Sequence, residues 1–156
     1  MIGGSSKHLL KIAAEHADIV NLIPPTANGK DFIKDAAATV RFDRARLRQR
    51  IELLHQLFDD AERDPATVEL SGFVLANIST DENHPRFERL ATRLGFDSLD
   101  AARRSPVALI GTPEQVIEEL HDRAERDGIR YFIVVATSLE TQELLADEII
   151  PAFTAS

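Results

Sequence analysis

The turn Gly3-Gly4-Ser5-Ser6 has the clearest capacity for chemistry in this sequence. Glycines let a ligand approach the backbone closely, and Ser5 or Ser6 can cap a helix that runs to about Ala17. The start of a helix presents unpaired N–H groups and the positive end of a dipole, which suits phosphate. The turn is therefore a candidate phosphate-binding site, and a simple capped helix after a flexible turn is the structural alternative.

Other polar residues follow predicted strands. In parallel α/β folds, ligands bind at the carboxyl ends of the strands, so polar residues at those ends are candidates for a site. Asn21 lies near the end of one predicted strand. The remaining candidates after later strands are Ser79, Thr80, Asp81, Thr137 and Ser138.

Histidines and carboxylates define no metal centre and no catalytic pair. His8 and His16 lie two turns apart on one predicted helix, and the other three histidines fall on separate predicted helices. The 26 Asp and Glu residues lie mostly on polar helix faces. We therefore assign no metal ligand and no catalytic residue.

Composition bounds the class of protein. The 156 residues suffice for a single domain over 1–156, with 44% hydrophobic and 28% charged residues. A net charge of -8 argues against a nucleic-acid partner, and no apolar run is long enough for a membrane helix. We find no signal peptide, and the absence of cysteine fits a reducing cytoplasm, where we expect the protein to reside.

Hydrophobic periodicity predicts strands that alternate with helices. A strand stub at Met1-Ile2 precedes three predicted strands, at Asp18–Ile23, Val68–Thr80 and Ile129–Thr137. The last is predicted to be fully buried, with Tyr131 and Phe132 in the core. The predicted helices are 5–17, 42–63, 84–94, 98–104, 112–128 and 139–152, and 26–40 is predicted to be a loop with one helical turn. This alternation predicts an α/β fold with a parallel sheet.

The helix after residue 111 carries the strongest local signals. Thr112 is typical of an N-cap, Pro113 of a first helical position and Gln115 of a capping box. Gly128 is typical of a helix stop. Helix capping explains these residues, so they need no functional interpretation.

Three segments in order resemble the luciferase-like flavin- or deazaflavin-dependent oxidoreductases. The first is IGGSSKHLLKIAAEHADIVNL, the second VELSGFVLANISTDEN and the third LIGTPEQVIEELHDRAERDGIRYFIVV. They are similar to a family strand ending in Ile-Gly-Gly, to the penultimate barrel strand, and to the closing helix and last strand. The resemblance covers nearly the whole chain, with residues 26–63 matching loosely.

The resemblance implies the carboxyl-terminal half of a TIM (β/α)8 barrel. The chain would supply strands five, as a stub, to eight, and strands one to four would be absent. It implies that the turn Gly3–Ser6 contacts the phosphate-bearing tail of the cofactor and that Asn21 faces the pocket. The implied cofactor is the deazaflavin coenzyme F420, which we favour, or FMN, used for hydride transfer or monooxygenation of a small organic substrate.

Two other functions compete with this expectation. An open half-barrel exposes sheet edges, so the chain alone can be catalytically silent and can self-associate or pair with another chain that supplies the missing half. The chain can also be an unrelated phosphate-binding α/β module. The residues alone do not separate these alternatives.

Overall fold

The computed structural model describes residues 1–26 and 34–154, which form one parallel sheet with helices against both of its faces. Within these ranges the strands are β1 (Ile2–Gly4), β2 (Ile19–Leu22), β3 (Glu69–Ile78), β4 (Ala108–Gly111) and β5 (Ile129–Ala136). The helices are α1 (Lys7–His16), α2 (Ala36–Arg41), α3 (Arg44–Asp60), α4 (Arg86–Arg93), α5 (Leu99–Arg103), α6 (Pro113–Asp127), α7 (Leu139–Leu144) and α8 (Ile150–Thr154). A 3-10 helix spans Pro65–Thr67, and a π-helical turn, Leu145–Ile149, joins α7 to α8.

Local capping groups set the helix ends that the sequence predicts. The Ser6 hydroxyl accepts a hydrogen bond from the Leu9 N–H at 3.2 Å and starts α1. Both bonds of the capping box between Thr112 and Gln115 form at the start of α6. Gly128 ends that helix with a φ of 68°, a left-handed conformation that suits glycine.

The long strand β3 organises the sheet because it pairs with three other strands. β2 pairs with its residues Glu69–Gly72, β4 with Leu75–Ile78, and β5 along Leu70–Ala76. A strand has only two edges, and β5 pairs with residues that β2 and β4 also contact. β2 and β4 therefore lie end to end along one edge of β3. All the pairings are parallel, as predicted, and β1 adds to the far side of β2.

Side chains alternate between the two faces of β3. We call the face with Phe73, Leu75 and Asn77 the front face, and the opposite face the back face. On the front, Leu75 packs with apolar residues of α4 and α5. On the back, Val74 and its neighbours pack with α6 and the π-helical turn, and the sheet further toward its amino end packs with α1 and α3.

The strand β4 differs from the sequence-based expectation, which places no strand before α6. Its four residues are buried and pair with the carboxyl end of β3. The segment is short and leads directly into the capping residues of α6, so its local pattern is typical of a loop that precedes a helix. Only its long-range pairing with β3 makes it a strand.

The prediction that β5 is fully buried is wrong. Tyr131 is 41% exposed, and Val134 and Val135 are 37% and 40% exposed. The cause is position: β5 pairs with β3 along one edge and, in the described residues, has no strand on its other edge. An apolar sequence indicates that neighbouring elements bury a strand, and here the neighbouring elements bury β5 only in part.

The segment predicted to be a loop with one helical turn, 26–40, falls partly outside the described residues. The helical turn corresponds to α2, which begins after the N-cap Asp35. Within the described part of the chain, no helix has the length and apolar character to cross a membrane.

A buried arginine fixes β4 to the helix that follows it. Arg123, on α6, donates to the carbonyl oxygens of Pro106, Ser105 and Ala108 at 2.9, 3.2 and 2.8 Å. Its Nε donates to Glu119 at 2.7 Å. Burial lowers the pKa of Arg123, and the ion pair with Glu119 opposes that effect. The guanidinium thus satisfies the carbonyls of the segment that enters β4.

We expect Arg123→Met to lower the free energy of unfolding by about 3–5 kcal/mol, because the change removes a buried donor from three carbonyl oxygens, while Glu119 keeps its ion pair with Arg44. Urea unfolding followed by circular dichroism measures this loss. Arg126→Met is the matched control: Arg126 pairs with Asp122 on the same helix, but its side chain is 70% exposed. The control should lose less than about 1 kcal/mol. Equal losses in the two variants would contradict the role given to Arg123.

Candidate functional site

The predicted turn and Asn21 meet where β1 and β2 end. The parallel register places Gly3 beside Asn21 and Asn21 beside Ser71. All three lie on the front face, since Ser71 shares that face with Phe73. The structure therefore brings Gly3 and Asn21, which are eighteen positions apart in sequence, into direct contact.

The strand β1 extends further than the predicted stub Met1-Ile2, so Gly3 and Gly4 lie in the strand and only Ser5 and Ser6 form the bend before α1. The two glycines have different reasons to be glycine. A Cβ on Gly4 would lie 2.6 Å from Leu9 Cδ1 and 3.0 Å from Leu9 Cβ, so the packing of α1 excludes a side chain there. A Cβ on Gly3 would meet nothing closer than 3.4 Å, the distance to Asn21 Cβ. Packing explains Gly4. Packing does not require glycine at position 3, and Gly3 is exposed, so a ligand can reach its backbone.

Asn21 supplies a donor beside that space. Its side chain is 8% exposed, and its Oδ1 accepts a hydrogen bond from the Ser71 hydroxyl at 3.4 Å. Its Nδ2 lies 3.5 Å from the position that a Gly3 Cβ would occupy. The amide is thus oriented by Ser71 with its N–H groups toward the uncovered side of Gly3.

The first turn of α1 adds positive potential at the same edge. Ser6 is the N-cap, and no acidic residue lies in the first turn, which contains Lys7 and His8. Ser6, Lys7 and His8 are exposed, and Ser5 is half-buried. Helix dipole, Lys7 and the Asn21 amide all favour a ligand that accepts hydrogen bonds and carries negative charge.

The polar residues after β3 and β5 have structural partners. The Ser79 hydroxyl donates to Glu140 Oε1 at 2.7 Å, and Arg86 pairs with the other oxygen of Glu140. The hydrogen bond from Ser79, together with Arg86, holds the pKa of Glu140 below its ordinary value. Thr137 Oγ1 donates to the Ala76 carbonyl at 2.8 Å.

The other candidates after these strands are also engaged locally. Ser138 caps α7 by accepting from the Thr141 N–H at 3.2 Å. Asp81 accepts from the Asn83 N–H at 3.0 Å in a turn, and Thr80 is exposed. These residues hold the loops in place. In residues 1–26 and 34–154, no group of three or more His, Asp or Glu side chains is arranged to hold a metal ion.

A second polar cleft, which sequence reasoning missed, lies on the front face between α4 and the ends of β3 and β5. It measures about 340 Å³. Its lining is Asn77, Arg86, Arg89, Leu90, Arg93 and Thr137. The sequence signal is three arginines spaced by three and four residues, which share one side of a helix. That spacing indicates a candidate site only once α4 packs over Asn77.

Solved structures with the same fold are oxidoreductases and related flavin proteins. The coenzyme F420-dependent tetrahydromethanopterin reductase from Methanopyrus kandleri aligns over 97% of this chain and 50% of its own, with 14% identity and a TM-score of 0.59. A riboflavin lyase solved with modified FMN and riboflavin aligns over 98% of this chain and 42% of its own, with 11% identity and a TM-score of 0.64.

A long-chain alkane monooxygenase aligns over 98% of this chain and 40% of its own, with 16% identity and a TM-score of 0.62. No protein-family model and no curated protein matches the sequence. This chain spans about half the length, or less, of each of these solved structures. At these identities the likeness concerns the fold, and it confirms the resemblance on which the partial-barrel prediction rests: the chain has the fold of about half of a luciferase-like TIM-barrel oxidoreductase.

Proposed function

We propose that the chain is part of a luciferase-like oxidoreductase in which the Gly3–Ser6 turn binds the phosphate-bearing tail of a flavin-type cofactor. The favoured cofactor is the deazaflavin F420, and FMN is the second choice. The observation that carries the proposal is the exposed backbone of Gly3 beside the Asn21 amide, at a position where packing does not require glycine. It lies where β1 and β2 end, in a fold shared with F420-dependent and FMN-containing proteins.

The residues present fit such a group. The backbone of Gly3 is exposed, the first turn of α1 contains no acid, and Lys7 adds a positive charge. When bound, the reduced cofactor supplies the hydride, or activates oxygen for monooxygenation, so the protein has to bind and orient it. The proposed substrate is a small organic molecule. We assign no catalytic acid or base.

Backbone and side chain have separate tasks in this proposal. The N–H groups at the start of α1 hold the phosphate, and Asn21, fixed by its bond with Ser71, donates to the cofactor next to Gly3. Gly4 acts indirectly because its missing side chain lets Leu9 pack against the strand and thereby positions α1.

We expect Gly3→Val to weaken cofactor binding at least about tenfold, because a branched side chain beside Asn21 blocks contact between the cofactor and the backbone of residue 3. The fold should persist, since a Cβ at this position has only ordinary contacts. Isothermal titration of the chain with F420 and, separately, with FMN measures the effect and shows which cofactor is bound.

Gly72→Ala is the matched control. A Cβ there also meets nothing closer than 3.4 Å, but its neighbours are Ile129 and Phe132 on the back face. It should leave binding unchanged. The proposal fails if the chain binds neither cofactor, or if the Gly3 and Gly72 variants bind as tightly as the wild type.

A second candidate role is that of a subunit that completes its sheet with another chain. The observation that favours it is the exposure of Tyr131, Val134 and Val135 on β5, whose outer edge has no partner strand in the described residues. The outer edge of β1 is also unpaired there. In a dimer with a twofold axis, β5 of each copy can pair with β1 of the other copy. This pairing covers both outer edges at once.

We expect the wild-type chain to form dimers, and Tyr131→Lys with Val135→Lys to shift it to monomers, because both charges fall on the exposed strand. Sedimentation velocity over a concentration series measures the shift. Leu139→Lys is the control: Leu139 is 68% exposed but lies on α7, away from the edge. A wild-type monomer at all concentrations that unfolds cooperatively would contradict self-pairing.

A further inference from the structure

The cleft between α4 and the strand ends carries a function that the Gly3–Ser6 turn does not explain. Asn77 lies on the front face of β3, and Thr137, its neighbour, directly follows β5. The helix α4 crosses both residues. β2 separates β3 from β1, so this cleft is distinct from the turn.

Three arginines line the cleft, and two of them lack an acidic partner among the described residues. Arg86, Arg89 and Arg93 lie on one side of α4, and all three line the cleft. Arg86 pairs with Glu140, the acidic group that faces it from α7. Among the described residues, Arg89 and Arg93 form no ion pair. Two cations therefore face the cleft in a chain whose net charge is -8.

Asn77 is the second, independent observation. The residue is 4% exposed, and its Oδ1 is buried with no hydrogen-bond partner among the described residues. Arg86 Nε is buried and without a partner in the same way. Buried polar groups are almost always hydrogen-bonded, so an unpaired acceptor on a residue that lines the cleft points to a ligand as the missing donor.

The complementary ligand must accept from arginine and donate to Asn77. A carboxylate or phosphate oxygen accepts from Arg86, Arg89 or Arg93 in charge-assisted hydrogen bonds. A hydroxyl on the same molecule donates to Asn77 Oδ1. A plain carboxylate satisfies only the arginines.

We propose that this cleft binds a small hydroxylated oxyanion, of the hydroxycarboxylate or hydrogen phosphate class. The identification of this anion as the oxidoreductase's substrate class rests on the proposed function, whereas the binding of the anion does not. The same chemistry can come from a substrate or from the anionic tail of the cofactor, and the experiment below separates these sources.

The test is isothermal titration of the chain at low salt with malate, succinate and inorganic phosphate. Malate and succinate differ by one hydroxyl, so the wild type should bind malate more tightly. Arg89→Gln with Arg93→Gln should weaken malate binding at least about tenfold, because two charge-assisted contacts are lost. Asn77→Leu should remove the preference for malate over succinate while keeping the arginines.

Arg41→Gln with Arg48→Gln is the matched control. Both residues are exposed and lie away from the cleft on α2 and α3, and the pair changes the net charge by the same amount. This control should leave malate binding within about twofold of the wild type, as expected for screened distant charges. Circular dichroism checks that each variant is folded.

Four outcomes would overturn the proposal: no binding of any probe by the wild type, equal binding of malate and succinate, a malate preference that survives in Asn77→Leu, or equal weakening by the control pair. Repeating the titrations with F420 or FMN present separates the sources. Malate that binds alongside the cofactor identifies a substrate site, and competition identifies the cofactor tail. Malate binding without any cofactor binding would keep this inference and refute the proposed function.

Discussion

The parallel pairing of β3 with three strands is the constraint on which the rest of the structure depends. One edge of β3 is shared by β2 and β4, which are each only four residues long, and the other edge is covered by β5. A four-residue strand contributes few ladder bonds, so β4 needs further support. Arg123 provides it by binding the carbonyls of the segment that enters β4, with Glu119 as counter-ion.

This pairing also decides where chemistry is possible. The register places the ends of β1 and β2 beside Gly72 of β3, whereas the cleft lies at the end of β3. The N–H groups at the start of α1 lie at the first of these places, and the arginines of α4 lie at the second. Both candidate sites consequently favour ligands that accept hydrogen bonds and carry negative charge, even though the chain as a whole is acidic.

Sequence reasoning predicted features that local chemistry controls. The bounds of α6 follow from Thr112, Gln115 and Gly128, whose interactions span a few residues, and the structure confirms them. Gly3 and Asn21 were predicted only as separate candidates at the ends of parallel strands; their contact depends on the pairing of β1 with β2 and was not predicted. The α/β class and the partial barrel were likewise predicted correctly, from the alternation of elements and the family resemblance.

The features that sequence reasoning missed depend on long-range contacts. β4 becomes a strand only through its pairing with β3, and Tyr131 is exposed only because β5 lies at the edge of the sheet. The arginines of α4 look like an ordinary charged helix face until the helix crosses Asn77. No periodicity in the sequence encodes which strand a helix will cross.

The two front-face asparagines separate what the fold explains from what it does not. Asn21 is buried, but Ser71 donates to its Oδ1, so the neighbouring strand satisfies its acceptor. Asn77 is buried more deeply, and its Oδ1 has no such neighbour in the described residues. A leucine at that position would pack against Leu75 and Leu90 without a desolvated amide, so burial alone does not favour asparagine there. The amide becomes favourable when a donor occupies the cleft, and the arginines that line the same cleft favour an anion as the carrier of that donor.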